Sequence, residues 1–297
     1  MGTELFRGSG VAIVTPFTDS GINFDTFRQL VEFQIAGGTD AIVVEGTTGE
    51  PSTQTANEKR DAIAFMVDQV NHRVPVIAGT GGNNTRQVIE DSKAAQALGA
   101  DALLIVTPYY NKCTPKGLIA HYTAIASAVD LPIVIYNVPS RTALNMTPEV
   151  LCELSKIDNI VGMKEASGNL AQVGEMCRLC GDNLTLYSGE DGLVLPLMSY
   201  GGKGVISVVA NIMPAYTHEM THKYLQGDVA GATAMQLRLL PMVQAMFCET
   251  NPIPVKTALG LMGYDVGPLR LPLTPMESAH VERLKVLMAE FSLPVVG

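Results

Sequence analysis

The chain has 297 residues, 47% of them apolar and 16% charged, with a formal net charge of −9. That composition can fill a large core and excludes an intrinsically disordered protein. The acidity disfavours nucleic acid and anionic membrane as partners, because both need basic patches, while leaving room for anionic small molecules held by one or two local cations.

The start, MGTELFRGSGVAIVTP, has an acid and glycines where a secretory signal needs a basic end and an apolar stretch. No apolar run reaches the roughly 18 residues that span a bilayer. Five cysteines, an odd number, read as free thiols in a reducing compartment. A cytoplasmic protein is expected.

Short β-branched runs then recur at intervals of roughly 25–30 residues: Val11–Val14, Ala41–Val44, Val74–Ala78, Ala102–Val106, Ile133–Tyr136, Ile160–Met163, Leu184–Tyr187 and Gly204–Val208. Each is continuous rather than alternating, the pattern of parallel strands buried on both faces. Helical stretches lie between them, among them Phe24–Ile35, Asn57–Val70, Thr85–Leu98 and Lys116–Val129. Asp101 and Asp130 fall in the short turns that lead into strands. Eight such units predict an α/β fold, a (β/α)8 TIM barrel, over residues 1–227. An open doubly wound sheet is the rival, but the first strand ends in Thr-Pro-Phe-Thr and lacks its glycine-rich phosphate loop. After Gly227 the strand signal stops. Residues 228–250, 254–263 and 275–292 read as helices, giving a C-terminal helical appendage over 228–297.

In such a barrel the chemistry sits at the C-terminal ends of the strands. Lys164 follows Ile160–Met163 and so points into the mouth of an apolar barrel. A free lysine with a pKa near ~10.4 is neutral in only about one molecule in 2,500 at pH 7. Burial can lower that pKa by about 3 units or more, and the neutral amine can then attack a ketone and form a Schiff base. The competing reading is a lysine paired with Glu165, although neighbours on a strand point to opposite faces. Lys203, at the other end of its strand, and Lys256, in the appendage, are weaker candidates. Tyr136 ends the preceding strand beside Lys164, and Thr48 and Tyr110 can extend a hydrogen-bond relay from it. Equally, buried tyrosines and threonines often only satisfy backbone groups. Arg141 follows a proline turn at the mouth and can either bind a carboxylate in two-pronged fashion or form a surface ion pair. The N–H groups of the Thr47–Thr48 turn can hold a second carboxylate.

Two further motifs fall outside this set. His218-Glu219-Met220-Thr221-His222 matches H-E-x-x-H, the zinc-protease helix, but lies in the helix after the eighth strand, with Glu249 the one acid to test as a third ligand. It reads as a solvated helix face. Cys177-Arg178-Leu179-Cys180 is a lone C-x-x-C within a helix and carries no metal or redox expectation.

Taken in order, GTTGE at 46–50, VTPYYN at 106–111, YNVPSRT at 136–142, KEASGN at 164–169 and NPIPVK at 251–256 resemble the dihydrodipicolinate synthase family of class I pyruvate-dependent lyases and aldolases. The resemblance implies that Lys164 forms an imine with pyruvate. It also implies that Tyr136 relays protons in a triad with Thr48 and Tyr110, the latter from a neighbouring subunit. Thr47 and Thr48 would hold the pyruvate carboxylate, and Arg141 that of aspartate semialdehyde. Gly189 and Ile206 would line the pocket. No metal or organic cofactor is implied, and a homotetramer built from two tight dimers is. The family's lysine-inhibition site would include Asn83 and Tyr109, but Ala56 and Lys59 stand where inhibited members carry two histidines, and Gln87 replaces an acid. A cation at Lys59 should repel an ammonium-bearing effector, so feedback inhibition by lysine is expected to be weak or absent. A sister lyase acting on sugar acids, such as an N-acetylneuraminate lyase, is the first alternative. A catalytically silent pyruvate-binding protein is the second.

Overall fold

The computed structural model describes residues 4–296. Eight parallel strands close into one barrel: β1 (Gly8–Ala12), β4 (Ala41–Val44), β5 (Val76–Gly79), β6 (Ala102–Val106), β7 (Ile133–Asn137), β8 (Ile160–Glu165), β9 (Thr185–Ser188) and β10 (Gly204–Ser207). β1 pairs with both β4 and β10, which seals the ring. A two-stranded hairpin, β2 (Phe17–Thr18) and β3 (Gly21–Ile22), follows β1 at the C-terminal mouth. Helices α1 (Phe24–Ala36), α2 (Ala56–Val70), α3 (Thr85–Ala97), α4 (Pro115–Ala126), α5 (Pro139–Thr142), α6 (Pro148–Leu154), α7 (Leu170–Cys180) and α8 (Val194–Ser199) join the strands, and α9 (Pro214–Leu225) follows β10. The expected TIM barrel is the fold.

Strand side chains divide between two cores. Alternate residues such as Val43, Leu104, Val134, Tyr136, Ala166 and Ile206 fill the barrel interior. The intervening ones, such as Val44, Ile105, Ile135 and Met163, pack outward under the helices. Because both faces are apolar, the strands read as continuous runs. Phe6 closes the N-terminal end of the interior. It stacks on Tyr187 at 4.3 Å between ring centroids, and the Tyr187 hydroxyl donates to the Phe6 carbonyl at 2.9 Å.

β1 begins three residues earlier than its β-branched run indicates. Gly8 starts it at φ +109°, opposite Gly204 at φ +153°, and a Cβ on Gly204 would lie 1.9 Å from the Gly8 carbonyl oxygen. Glycine lets the two closing strands touch here, where apolar patterning alone is silent. At the other end, β8 continues through Lys164 to Glu165. Asp101 anchors the start of β5, its carboxylate accepting from the Val76 N–H at 2.8 Å.

Beyond the Gly227 turn come α10 (Val229–Met246), α11 (Ile253–Leu261) and α12 (Ser278–Glu290). Their buried residues, including Leu239, Met246, Val255 and Met288, belong to the same apolar cluster as the outer face of the barrel. The C-terminal helices therefore share the barrel's core. Among the described residues, no helix is long and apolar enough to cross a membrane.

An ion pair ties this segment to the mouth. Lys256 on α11 donates to Glu50 at 2.9 Å, and both side chains are almost fully buried. Lys256 also donates to the Pro268 carbonyl at 3.0 Å, and Glu50 accepts from the Arg270 N–H at 3.1 Å. Removing one member leaves the other charge buried without a partner. Glu50→Gln should cost about 3–5 kcal/mol in urea unfolding, and Glu50→Leu combined with Lys256→Met should recover most of that loss. A single-variant cost below about 1 kcal/mol would show that the pair does not anchor the segment.

Candidate active site

Lys164 and Tyr136 are paired in register across β8 and β7, so both side chains rise into the same end of the barrel. The Lys164 Nζ lies 4.5 Å from the centroid of the Tyr136 ring. Lys164 is 5% exposed. Burial pulls its pKa down to about 8, with Arg141 acting in the same direction and Asp191 and Glu190 opposing. At that value roughly one amine in ten is neutral at pH 7. The alternative partner is excluded by geometry: Glu165 turns to the other face, where it accepts from Asn137 Nδ2 at 3.0 Å and from the Ser167 N–H at 2.6 Å. Lys256 is committed to Glu50.

The Tyr136 phenol is pushed up to about 12 by burial, against the pull of Arg141 and a hydrogen bond with Thr47. The threonine that engages Tyr136 is thus Thr47, a correction to the expected relay member. The Thr48 hydroxyl instead accepts from Asn251 Nδ2 at 3.0 Å. Two adjacent threonines are indistinguishable by residue type, and the short 3-10 turn over Thr47–Gly49 decides which one faces the tyrosine.

Lys164, Tyr136, Thr47, Thr48, Arg141 and Gly189 all line one cavity of about 530 Å³, a size suited to small ligands. Gly189 sits over the lysine: a Cβ there would lie 2.7 Å from the Ala166 Cβ and 3.1 Å from the Lys164 Cε. Its N–H donates to the Glu165 carbonyl at 2.7 Å, which fixes it in place. The Ile206 side chain is fully buried in the barrel interior. Tyr110 stands apart from this cavity. Its φ is +68°, it is 93% exposed, and it is not among the residues that line the cavity.

One contributor escapes the strand-end pattern. Asn251, in the loop before α11, holds Thr48 through its side chain, and its carbonyl accepts from Arg141 Nη2 at 3.0 Å. It thereby positions two site residues at once. The only trace in the sequence is the NPIPVK segment. Asp191 is fully buried, bonds to the Ser207 hydroxyl and accepts from the Val208 N–H at 2.9 Å, tying the end of β9 to β10.

Asn83 and Tyr109 lie in an adjoining region, where Asn83 Nδ2 donates to the Tyr109 carbonyl at 3.2 Å. Lys59 and Tyr109 line a second cleft there with Pro51 and Ser52. Gln87 is taken up by a hydrogen bond to Asp91 at 3.0 Å.

The sequence model of the family described as the dihydrodipicolinate synthetase family matches residues 5–290. A 4-hydroxy-tetrahydrodipicolinate synthase of Thermoanaerobacter sp. (strain X514) is 58% identical over 97% of this chain and 98% of its own. The crystal structure of dihydrodipicolinate synthase from Aquifex aeolicus superposes with a TM-score of 0.96 at 41% identity, covering 98% of this chain and 100% of that one. A solved structure described as a monomeric dihydrodipicolinate synthase variant is 40% identical, with a TM-score of 0.96 over 97% of this chain and 98% of its own.

Acylation of Lys164 by an amine-directed reagent, followed by peptide mass spectrometry, should rise with pH and reach half its plateau rate near pH 8. Exposed lysines on the same molecule should lag by about two pH units. A Lys164 profile that coincides with theirs would contradict the desolvated amine.

Proposed function

The chain belongs to the dihydrodipicolinate synthetase family, and we propose that it is a 4-hydroxy-tetrahydrodipicolinate synthase joining pyruvate to L-aspartate 4-semialdehyde in lysine and diaminopimelate biosynthesis. The observation that carries the reading is a desolvated lysine held against a tyrosine at the mouth of the barrel.

The neutral Lys164 amine adds to the pyruvate carbonyl carbon, and water leaves to give a protonated imine. The imine withdraws electrons from the neighbouring methyl carbon. Loss of a proton there forms the enamine, whose carbon attacks the aldehyde of the second substrate. The amino group of that substrate then adds to the imine carbon, closing the ring and releasing the lysine amine. The imine itself is the electron sink, so the route uses no metal or organic cofactor.

Tyr136 remains protonated near neutrality, so it acts first as a proton donor to the departing hydroxyl. Thr47 and Arg141 favour its transient anion, which takes the proton back. The N–H groups of the Thr47–Thr48 turn receive the pyruvate carboxylate. Arg141, steadied by the Asn251 carbonyl, receives the carboxylate of the semialdehyde in two-pronged fashion.

Tyr110 enters the relay from a partner subunit. Its exposure supplies a reason: the isolated chain leaves a large aromatic in water and its own cavity without it. A homotetramer made of two dimers meets that need. All five cysteines are unpaired, which fits a reducing cytoplasm.

Borohydride should trap one pyruvate on Lys164 in the native protein and none in Lys164→Ala. A coupled assay with pyruvate and aspartate semialdehyde should fall by more than about 10³-fold in that variant. Equal turnover in the two proteins would remove the proposal, and faster turnover with sugar aldehydes would move the chain to a sister lyase. Free L-lysine at 1 mM should leave turnover unchanged, because the Lys59 ammonium lines the cleft beside Tyr109 and repels a cation. Half-inhibition below millimolar lysine would show that the effector overcomes it.

A further inference from the structure

The histidines of the H-E-x-x-H segment do not face open solvent alone. His218 and His222 are one turn apart on α9, and their rings stack with centroids 3.9 Å apart. Both turn to the same carboxylate, that of Asp40, in the turn before β4. His218 Nδ1 lies 3.1 Å from Asp40 Oδ2, and His222 Nε2 lies 3.0 Å from Oδ1. One atom from each residue falls within a sphere where all are within 4.8 Å of one another. Glu249, the acid expected as a third ligand, is elsewhere and bonded to His280 at 2.6 Å.

We propose that Asp40, His218 and His222 form a binding site for a borderline divalent transition ion of the zinc class, at the end of the barrel opposite Lys164.

Five features of the cluster support this. Two imidazoles at i and i+4 on a helix, joined by a carboxylate, are a donor set suited to zinc, nickel, cobalt or copper and poorly suited to magnesium or calcium. The two nitrogen–oxygen edges to Asp40 Oδ2, each 3.1 Å, lie a few tenths of an ångström inside those of a tetrahedron with metal–ligand bonds of about 2.0–2.1 Å. Orientation is already set: Asp40 accepts from the Ser9 N–H at 2.7 Å, the kind of outer contact that holds a ligating carboxylate. The flanking backbone is also cleared of side chains. A Cβ on Gly8 would lie 2.2 Å from Asp40 Oδ2 and 2.7 Å from His222 Nε2, and one on Gly38 would lie 3.2 Å from the His218 ring. The three side chains are 18–33% exposed, so an ion and its remaining waters can reach them.

Each ring nitrogen that faces Asp40 must be bare to ligate, so the ion binds the tautomer that carries its proton on the other nitrogen. The bound ion would then join α9 to the start of β4, beside the β1 seam that closes the barrel. Hydrolysis is not part of the proposal: Glu219, the base of the protease motif, is largely exposed and lies 3.7 Å from Lys223.

The test uses the full chain washed free of metal with a chelator. Zinc titration by calorimetry should give one ion per chain with micromolar or tighter affinity, and raise the melting temperature by several degrees. His218→Gln, His222→Gln and Asp40→Asn should each weaken binding by more than about tenfold. His218→Gln should retain turnover at the distant mouth. Cobalt substitution should give visible ligand-field bands without thiolate charge transfer, separating this site from capture by the cysteines. Failure to bind zinc below millimolar, binding unchanged in His218→Gln and His222→Gln, or a thiolate spectrum would each overturn the proposal.

Discussion

The chemistry of this protein depends on the cost of keeping an ammonium group out of water. Lys164 stands where the apolar filling of the barrel ends and the cavity begins, and burial is the largest influence on its proton affinity. Two carboxylates act against that effect, but neither makes an ion pair with it: Asp191 is spent on the Ser207 hydroxyl and on backbone N–H groups. A buried carboxylate whose hydrogen bonds are already made elsewhere leaves the amine reactive. The second buried lysine makes the contrast. Lys256 is also desolvated, but Glu50 bonds to it directly, so it serves as a structural cation.

The mouth is assembled from both ends of the chain. The 3-10 turn that presents Thr47 and Thr48 continues into Glu50, which reaches Lys256 and the Arg270 backbone. Asn251, just ahead of α11, grips Thr48 and Arg141. The β2–β3 hairpin adds a third strut, since the Phe17 N–H donates to the Val266 carbonyl at 3.0 Å and its ring lies under Arg270 at 3.9 Å. The C-terminal helices thus hold the strand-end loops at a fixed spacing, which lets small, weakly binding groups act together.

The barrel was legible because its strands are buried on both faces, and Lys164 and Tyr136 were legible because a polar side chain ending such a strand has nowhere to go but the cavity. Other features were not. β1 escaped its true limits because glycine, which makes the closure possible, carries no apolar signal. The choice between Thr47 and Thr48 depends on a turn of three residues. Asn251 and Asp40 act across 203 and 178 residues of sequence, and no local pattern marks such partners. Asp40 turns a motif read as a solvated face into a cluster with a shared focus.

Phe6 makes the interior of the barrel a vessel with one opening. Stacked on Tyr187 and bonded to its hydroxyl, it stoppers the far end, so the route to the lysine runs through the cavity at the mouth. A keto acid that fills this cavity shields the amine from solvent on its open side, so arrival of the electrophile and desolvation of the nucleophile become a single event.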